Sequence, residues 1–446
     1  MPDESISSGQ IGLLLAALLL MAAYLGASGT IPTGMAIAVT SLEPQEGQTG
    51  TVRVIVTPKS PQSSALSRKA TGIAIRHEFG DKFSADVPLQ QVAYLKTLAD
   101  VQDSIKLDLH AASYLETSLF NPECGDKICR QDEHQRCPQD CGAFRIRVCT
   151  PAKPKDYNVE QSGGGNPADG KGVNVAVIDT GVTKEHLDIR SNVKMCVDTT
   201  GIGVQNGCED QDSVGHGTHT AGIIAGNGGP DGEGMMGVAP AANLLVIKAC
   251  TSRQCYADDI AEGIEYAASI GAKIILMPFG SDNDEPLIKS SIQRHPEILF
   301  IASAGNLGPE ASTIQHPAAL PEVVAVAASD SEGHGVWFSS RGADDGNPGI
   351  VSLGEVEITA GGSNVESINT DGCYSQLSGT SNSAATVAGL AAKIWDQSDG
   401  NIDGNGDPQT ARRYLIRKAK DIVVADGGGA KVGFDPPTGF GSANDD

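Results

Sequence analysis

Residues 377–389 read LSGTSNSAATVAG, and the rest of the chain is interpreted around this stretch. A turn of small residues, Gly379-Thr380, leads Ser381 into an alanine-rich run that we expect to be helical. The serine hydroxyl would then lie at a helix N-terminus, where free N–H groups and the positive end of the helix dipole favour an oxyanion. Because a serine alone is a weak nucleophile, it needs a base and an acid that orients the base.

Three stretches upstream contain the side chains that such a serine needs. Asp179 ends the apolar strand-like run NVAVID, and His216 enters a helix-like run within GHGTHTAG. Asn306 ends a second apolar run, IASAGN. The chain therefore supplies an acid, a base, an amide donor and a nucleophile, in that order.

This order resembles the subtilisin family of serine peptidases, in which the catalytic residues follow the order Asp, His, Ser. The resemblance covers residues 170–440 and depends on four motifs in one order. It implies that Asp179, His216 and Ser381 form a catalytic triad and that Asn306 holds the oxyanion. It also implies peptide or protein substrates and no cofactor for catalysis.

The resemblance extends to the segment that would line the substrate. The run LMPFGS stands where the family has Met-Ser-Leu-Gly-Gly, and Pro278 removes one backbone donor. Together with Phe279 and Ser281, which alter the pocket, this change predicts an unusual substrate pairing or preference. Asn382 follows the serine where the family usually has Met, and because this position does not transfer a proton, we expect activity to be retained. The predicted substrate-binding residues are Met277, Pro278, Phe279, Gly280, Ala304 and Gly305.

Short continuous apolar runs predict the fold of this region. Such runs are typical of strands that helices cover on both faces, which means a parallel sheet. We therefore expect a subtilisin-like domain over residues 150–446, with three α/β/α layers and a mostly parallel sheet. The candidate strands are residues 173–179, 244–248, 273–277, 298–304 and 323–327.

A small α+β domain is expected to precede it, over residues 48–112. Residues 51–57 alternate like a strand, residues 89–98 carry apolar positions at helical spacing, and residues 104–109 alternate again. Its position resembles that of the inhibitory propeptide of subtilisins. The resemblance implies a zymogen whose own propeptide is a partner; an unrelated small domain is the alternative.

Residues 11–28 form an uncharged apolar run, so we interpret residues 1–30 as a signal peptide or a membrane anchor. Either reading predicts export, to the medium or to the cell surface, with membrane attachment only if the segment is retained. The formal net charge of −23 argues against a nucleic-acid partner.

Ten cysteines indicate an oxidising compartment, with reduced cysteines or a zinc site as alternatives. The spacing of four of them suggests two short disulfide loops. Two others are left by elimination, although sequence alone does not fix connectivity. The pairs are Cys250–Cys255, Cys196–Cys208 and Cys149–Cys373.

The remaining four cysteines fall in a cysteine-rich insert, residues 121–149. A small disulfide knot is favoured. A zinc site and a calcium loop are the alternatives. The zinc ligands would come from Cys124, Cys129, His134, Cys137 and Cys141, and the calcium ligands from Asp126, Asp132 and Glu133.

A second calcium hypothesis concerns an acidic stretch near the C-terminal end. Its D-x-N-x-D-G spacing suits oxygen ligation of a structural Ca²⁺, although Thr410 stands where a calcium loop has Glu. An ordinary acidic turn is the alternative. The candidate ligands are Asp399, Asn401, Asp403 and Asp407.

Two functions follow from these observations. The first is an exported serine endopeptidase made as a zymogen. The second is a catalytically inactive relative that uses the scaffold and the cysteine-rich insert for binding or at a surface. The joint presence of acid, base, amide and serine favours the first.

Overall fold

The computed structural model describes residues 50–70, 72–109, 150–153, 155–208, 212–251, 254–342, 355–395 and 408–418. Three predicted features lie outside these ranges: the 1–30 segment, the 121–149 insert, and the acidic stretch around residues 399–407. Within the described ranges, no helix is both long and apolar enough to cross a membrane.

The described elements follow in chain order. The N-terminal unit contains β1 (Thr51–Pro58), α1 (Pro61–Arg68), β2 (Ala74–Phe79), β3 (Lys82–Pro88), α2 (Leu89–Leu98), β4 (Ala99–Asp103) and β5 (Lys106–Leu109). Next come α3 (Tyr157–Gln161), β6 (Asn174–Asp179), β7 (Val193–Asp198), β8 (Gln205–Asn206), α4 (His216–Ala225), β9 (Asn243–Lys248), β10 (Cys250–Thr251), β11 (Gln254–Tyr256) and α5 (Ala257–Ser269). The last are β12 (Ile274–Met277), β13 (Phe279–Gly280), α6 (Pro286–Arg294), β14 (Leu299–Ser303), β15 (Val323–Ser329), β16 (Ile358–Gly361), β17 (Val365–Ile368), β18 (Tyr374–Leu377), α7 (Thr380–Trp395) and α8 (Pro408–Lys418).

The largest sheet has eight strands in the order β16-β15-β14-β12-β6-β9-β7-β8. Its neighbouring strands are parallel, apart from the short β8, which pairs antiparallel with β7. The five apolar runs singled out in the sequence correspond to β6, β9, β12, β14 and β15. The predicted mostly parallel sheet is therefore confirmed.

Helices cover both faces of this sheet. Val175 and Val177 of β6 join the core that includes residues of α4 and α7, whereas Ala176 and Ile178 join the core that includes α5 and α6. This alternation follows from the strand itself, because successive side chains point to opposite faces. The arrangement is the predicted three-layer α/β/α fold.

The first four strands of the N-terminal unit form a separate antiparallel sheet, in the order β2-β3-β1-β4. On one face, Val54 and Val56 of β1 pack with Leu95 of α2. On the other face, Ile55 packs with Ala261 of α5 and with α6. The small sheet is therefore sandwiched between its own helix and helices of the larger domain.

The structure differs from the expected strand-helix-strand pattern in two ways. First, β2 and β3 were not predicted, because their charged residues and a register shift between Ile75 and Glu78 break the apolar alternation. Second, the strand predicted at residues 104–109 is found as β5, whereas β4, which completes the small sheet, was not predicted. β4 stays in the small sheet, but β5 leaves it and pairs with β11 and β13.

Candidate active site

The acid and the base meet at the carboxyl edge of the large sheet. Asp179 is the last residue of β6, and His216 is the first residue of α4. The imidazole Nδ1 lies 2.8 Å from Asp179 Oδ1 and 2.9 Å from Oδ2. Both side chains are buried, so this contact fixes the ring against the carboxylate.

Helix α4 can approach the strand end because Gly217 has no side chain. A Cβ atom at Gly217 would lie 2.2 Å from the carbonyl oxygen of Gly181. One turn along the helix, the Thr220 hydroxyl donates to Asp179 Oδ2 at 3.1 Å. The carboxylate that orients the His216 ring is therefore itself held by a hydrogen bond from the same helix.

Asp212 is a residue of this site that the sequence reasoning missed. Its carboxylate accepts the backbone N–H groups of Gly215 and Thr218, both at 2.8 Å, and the hydroxyls of Thr180 and Thr218. It thereby satisfies N–H groups that the start of a helix leaves without partners. An acidic residue just before the GHGTH run was the available signal.

The nucleophile candidate begins the longest described helix. Ser381 is the second residue of α7 and is buried. The residue before it, Thr380, donates its backbone N–H and its hydroxyl to Asn306 Oδ1, at 3.1 Å and 3.0 Å. The oxygen end of the Asn306 amide is thus engaged by Thr380, and the amide retains its Nδ2 donors. Thr380 is a second residue that the sequence reasoning missed.

The second ring nitrogen of the base is not used by the described fold. His216 Nε2 is buried, and it makes no hydrogen bond in the described part of the chain. Because Nδ1 is committed to Asp179, Nε2 is the nitrogen that can accept a proton. The site therefore offers a buried, oriented general base.

The predicted substrate-edge residues lie beside a segment of the chain itself. β5 lies antiparallel between β11 and β13, with Asp108 opposite both Gln254 and Gly280. Leu109 is opposite Phe279, and Met277 and Pro278 are buried just before this edge. An extended segment thus already occupies the groove between the two edges.

The other two predicted substrate residues follow β14. Ala304 uses both backbone groups within the protein, donating to Val326 and accepting from Gln315, each at 2.9 Å. Gly305 has a φ of 120°, and a Cβ there would lie 2.6 Å from Ser340 Oγ. Ala304 and Gly305 can therefore line a substrate pocket, but they cannot pair with a substrate as a neighbouring strand would.

Two further histidines near the site are held neutral. Burial, aided by the nearby His216, lowers the pKa of His219 to about 4, and its Nε2 lies 3.2 Å from the Ser375 carbonyl oxygen. Burial also lowers the pKa of His186. Neither was assigned chemistry from the sequence, and both are bonded to backbone carbonyls instead.

Of the described residues, one group has three side chains placed closely enough to hold a metal: His77, Asp258 and Asp259. Arg53 Nη1 lies 2.8 Å from Asp259 Oδ2 and 3.6 Å from Asp258 Oδ1, and Arg76 also contacts both carboxylates. Burial raises the pKa of Asp259, against the opposing effects of His77 and Arg53. Because two guanidinium groups already balance the two carboxylates, the cluster does not suit a metal ion.

Two of the predicted disulfides are present. Cys196–Cys208 and Cys250–Cys255 are both bonded. Cys373 is bonded as well, and its predicted partner Cys149 lies outside the described residues.

Comparisons with known proteins place the chain in a family. Residues 170–441 match the subtilase family, Peptidase S8. A subtilisin from Bacillus sp. strain TA39 is 39% identical over 304 residues, which are 64% of this chain and 68% of that protein. Among solved structures, the S41 psychrophilic protease is 35% identical with a TM-score of 0.59, and the match covers 68% of this chain and 100% of that one.

Fervidolysin from Fervidobacterium pennivorans, a keratinolytic enzyme related to subtilisin, matches a longer part of the chain. It is 22% identical with a TM-score of 0.64, over 90% of this chain and 61% of that one. This likeness concerns the fold alone. The family match covers more than half of the chain and includes Asp179, His216, Asn306 and Ser381. The chain therefore belongs to the subtilase family and is a subtilisin-like serine endopeptidase.

Proposed function

We propose that the active form of this endopeptidase uses Ser381 as nucleophile, His216 as base, Asp179 as the orienting acid and Asn306 as an oxyanion donor. The observation that carries the proposal is the contact of His216 Nδ1 with both oxygens of Asp179, at 2.8 Å and 2.9 Å. It leaves Nε2 as the proton acceptor at the site that also holds the start of α7.

The chemistry follows from these positions. Ser381 attacks the peptide carbonyl while His216 Nε2 takes the hydroxyl proton, and Asp179 stabilises the resulting imidazolium. His216 then returns the proton to the leaving amine. A water molecule repeats the sequence on the acyl-enzyme.

The oxyanion that forms at each addition step needs preorganised donors. The Asn306 amide is one, because its oxygen accepts two hydrogen bonds from Thr380 and thereby fixes how the amide is turned. The backbone N–H of Ser381 is the other, since it lies in the first turn of α7. Donors held in place before the reaction stabilise charge without reorganisation.

We further propose that residues 50–109 act as the inhibitory propeptide. β5 runs antiparallel to β13, so its C-terminal end points toward Met277 and the carboxyl edge of the large sheet. It pairs on both sides, as an extended peptide substrate would. β5 therefore occupies the groove like the acyl side of a bound product.

A charged contact supports the docking of this unit. Arg53 lies on the same face of β1 as Ile55 and reaches Asp259 on α5. On β2, the register shift near Arg76 and His77 lets two consecutive residues contact Asp258 and Asp259. Because both carboxylates are almost fully buried, their pairing with arginine makes the interface selective for this unit.

The last part of the proposal is that the protein is exported. The apolar run at residues 11–28 predicts a signal segment, and the two disulfides described above suit an oxidising compartment. Protein or peptide substrates would then be met outside the cytoplasm. A structural Ca²⁺ on Asp399, Asn401, Asp403 and Asp407 remains a prediction from sequence.

The test of the nucleophile has a matched control on the same helix. Ser381→Ala should remove fluorophosphonate labelling and lower casein hydrolysis by roughly five to six orders of magnitude, with the fold intact. Ser383→Ala should change little, because the buried Ser383 hydroxyl makes no hydrogen bond within the described residues. Retained labelling or hydrolysis in Ser381→Ala would show that Ser381 is not the nucleophile.

A further inference from the structure

The short hairpin β10–β11 is closed by the Cys250–Cys255 disulfide. The two cysteines are directly opposite each other in the ladder, and both are fully buried. Among the described residues, the ladder has one other pair, Thr251 with Gln254. Hydrogen bonding alone gives such a small hairpin little stability, because isolated two-stranded hairpins are marginal even when longer.

The outer edge of this hairpin is one of the two edges that hold β5. Cys255 lies opposite Leu107, and Gln254 lies opposite Asp108. The other edge, β13, follows directly after β12 of the large sheet and is fixed by it. The edge at β11 continues into α5 after Tyr256, and at its other end the Cys250–Cys255 disulfide joins it to β10.

The hairpin is also connected to the triad acid. Ala249 donates its backbone N–H to the carbonyl oxygen of Asp179 at 2.9 Å. The buried Lys248 ammonium donates to the carbonyl oxygens of Thr180 at 2.8 Å and Cys250 at 3.4 Å. The disulfide therefore joins an edge strand of the groove to backbone that is itself bonded to the strand carrying Asp179.

We propose that the Cys250–Cys255 disulfide is a positioning element that holds β11 as a substrate-binding edge and so makes the enzyme favour extended peptides. When β5 leaves, β11 loses the strand that pairs with its outer edge. The disulfide keeps the edge in place, so an extended substrate does not have to order it on binding. A short substrate that does not reach β11 gains nothing from the disulfide. This inference depends on the proposed use of the β5 groove by substrates.

The experiment compares two peptides on the active form that accumulates when the full chain is expressed. One is a well-cleaved member of a peptide library, and the other is its N-terminally truncated form, which lacks the residues that would pair with β11. In the parent enzyme the longer peptide should have a kcat/KM higher by about tenfold or more, because a few backbone hydrogen bonds contribute about 1 kcal/mol each. In Cys250→Ala/Cys255→Ala this advantage should disappear, mainly through KM, while the rate of fluorophosphonate labelling stays within about twofold.

The second disulfide supplies the matched control. Cys196→Ala/Cys208→Ala also removes a buried disulfide, but neither β7 nor β8 pairs with β5. It should keep the advantage of the longer peptide. If the Cys250/Cys255 variant does not fold, the control variant is folded first and then treated with dithiothreitol, and the thiols of Cys250 and Cys255 are checked by mass spectrometry.

The outcomes distinguish the positioning role of the disulfide from the proposed role of Ser381 as nucleophile. Selective loss of the long-peptide advantage on removing or reducing Cys250–Cys255 supports the positioning role. A retained advantage, or an equal loss in the Cys196/Cys208 control, overturns it. Parent enzyme that fluorophosphonate does not label at Ser381 would instead overturn the proposed nucleophile.

Discussion

At the scale of single residues, the oxyanion site depends on which way one amide is turned. Asn306 Oδ1 accepts both the backbone N–H and the hydroxyl of Thr380, the residue immediately before the nucleophile. The same Thr380 hydroxyl lies 3.3 Å from the backbone N of Gly305, which donates to it. Thr380 thus links the end of β14 to the start of α7 and orients Asn306 without taking part in the reaction.

We predict that Asn306→Ala lowers kcat by roughly two to three orders of magnitude and changes KM little. The reason is that the oxyanion exists only along the reaction path, so losing its donor costs transition-state binding and not substrate binding. Steady-state kinetics on one peptide measures both constants. An unchanged kcat would mean that another group holds the oxyanion.

Two substitutions of Thr380 test whether its hydroxyl orients the Asn306 amide. Thr380→Val should lower kcat less than Asn306→Ala does, because one of the two hydrogen bonds to Asn306 Oδ1 comes from the backbone and remains. Thr380→Ser retains the hydroxyl and should stay close to the parent. A loss in the serine variant equal to that in the valine variant would point to packing and not to the hydrogen bond.

His219 gives a prediction on acid stability. Its pKa is about 4 in the folded protein and about 6.5 when unfolded, so between these values the unfolded chain binds a proton that the folded chain does not. Stability from this group is therefore full above pH 6.5 and is lost as pH falls toward 4. From pH 7 to pH 5, the loss is about 2 kcal/mol.

We therefore predict that, between pH 7 and pH 5, the free energy of unfolding falls by about 2 kcal/mol less in His219→Gln than in its parent. Urea unfolding at pH 7 and pH 5 measures the difference, and both proteins carry Ser381→Ala to prevent autolysis. An equal pH dependence in the two proteins would assign the acid lability to other groups.

At the scale of elements, the contact between β1 and α5 decides how the N-terminal unit docks. Arg53 contributes a hydrogen-bonded ion pair with Asp259 and also stacks on the ring of Tyr256, 3.8 Å from its centre. The period of a strand places Arg53 and Ile55 toward the peptidase, while Val54 and Val56 fill the unit's own core. One strand therefore serves both the fold of the unit and its binding.

We predict that Arg53→Ala weakens inhibition of the active enzyme by added residues 50–109 by roughly a hundredfold. Leaving one member of a buried charge pair without its partner costs about 2–5 kcal/mol. The inhibition constant is the measured quantity. Lys59→Ala is the control, because the exposed Lys59 forms a surface ion pair with Asp100 of its own unit and should shift the constant less than about twofold.

A double-mutant cycle makes the test specific. On an enzyme carrying Asp259→Asn, the Arg53→Ala substitution should cost much less than on the parent enzyme, because the partner charge is gone. Additive effects would show that Arg53 acts through Tyr256 or through the fold of the unit.

At the scale of the whole molecule, the two sheets are connected through β5. The small sheet ends at β4, and three residues later the chain pairs with β11 and β13 of the peptidase. The N-terminal unit is thus held at two places, the Arg53 contact on α5 and the groove. If the unit is the proposed propeptide, β5 must leave the groove before a substrate can enter it.

We predict that the active form begins after Leu109. Cleavage there would disconnect β5 from the peptidase domain, whereas cleavage before Thr51 would leave the groove occupied by an attached strand. N-terminal sequencing of the active form decides between these results. An active form that still contains residues 51–109 would make this unit a permanent domain with another role.

The sequence alone determined the features that depend on neighbours along the chain. Continuous apolar runs predicted buried parallel strands, and the residues that end those runs or begin the following helices placed Asp179, His216, Asn306 and Ser381 at one edge of the sheet. These signals are local, since strand burial and helix starts depend on a few consecutive residues. For the same reason the family resemblance was readable in four short motifs.

Only the tertiary structure decided which distant groups meet. Arg53 and Asp259 are separated by 206 positions, and no periodicity relates them. Thr380 was missed because its hydrogen bonds to Asn306 and Gly305 join elements that become neighbours only after folding. The strand predicted at residues 104–109 was assigned to the small sheet, but it is β5, which pairs with β11 and β13 of the peptidase. Strand propensity is set along the chain, but a strand's partner is set by the arrangement of the whole fold.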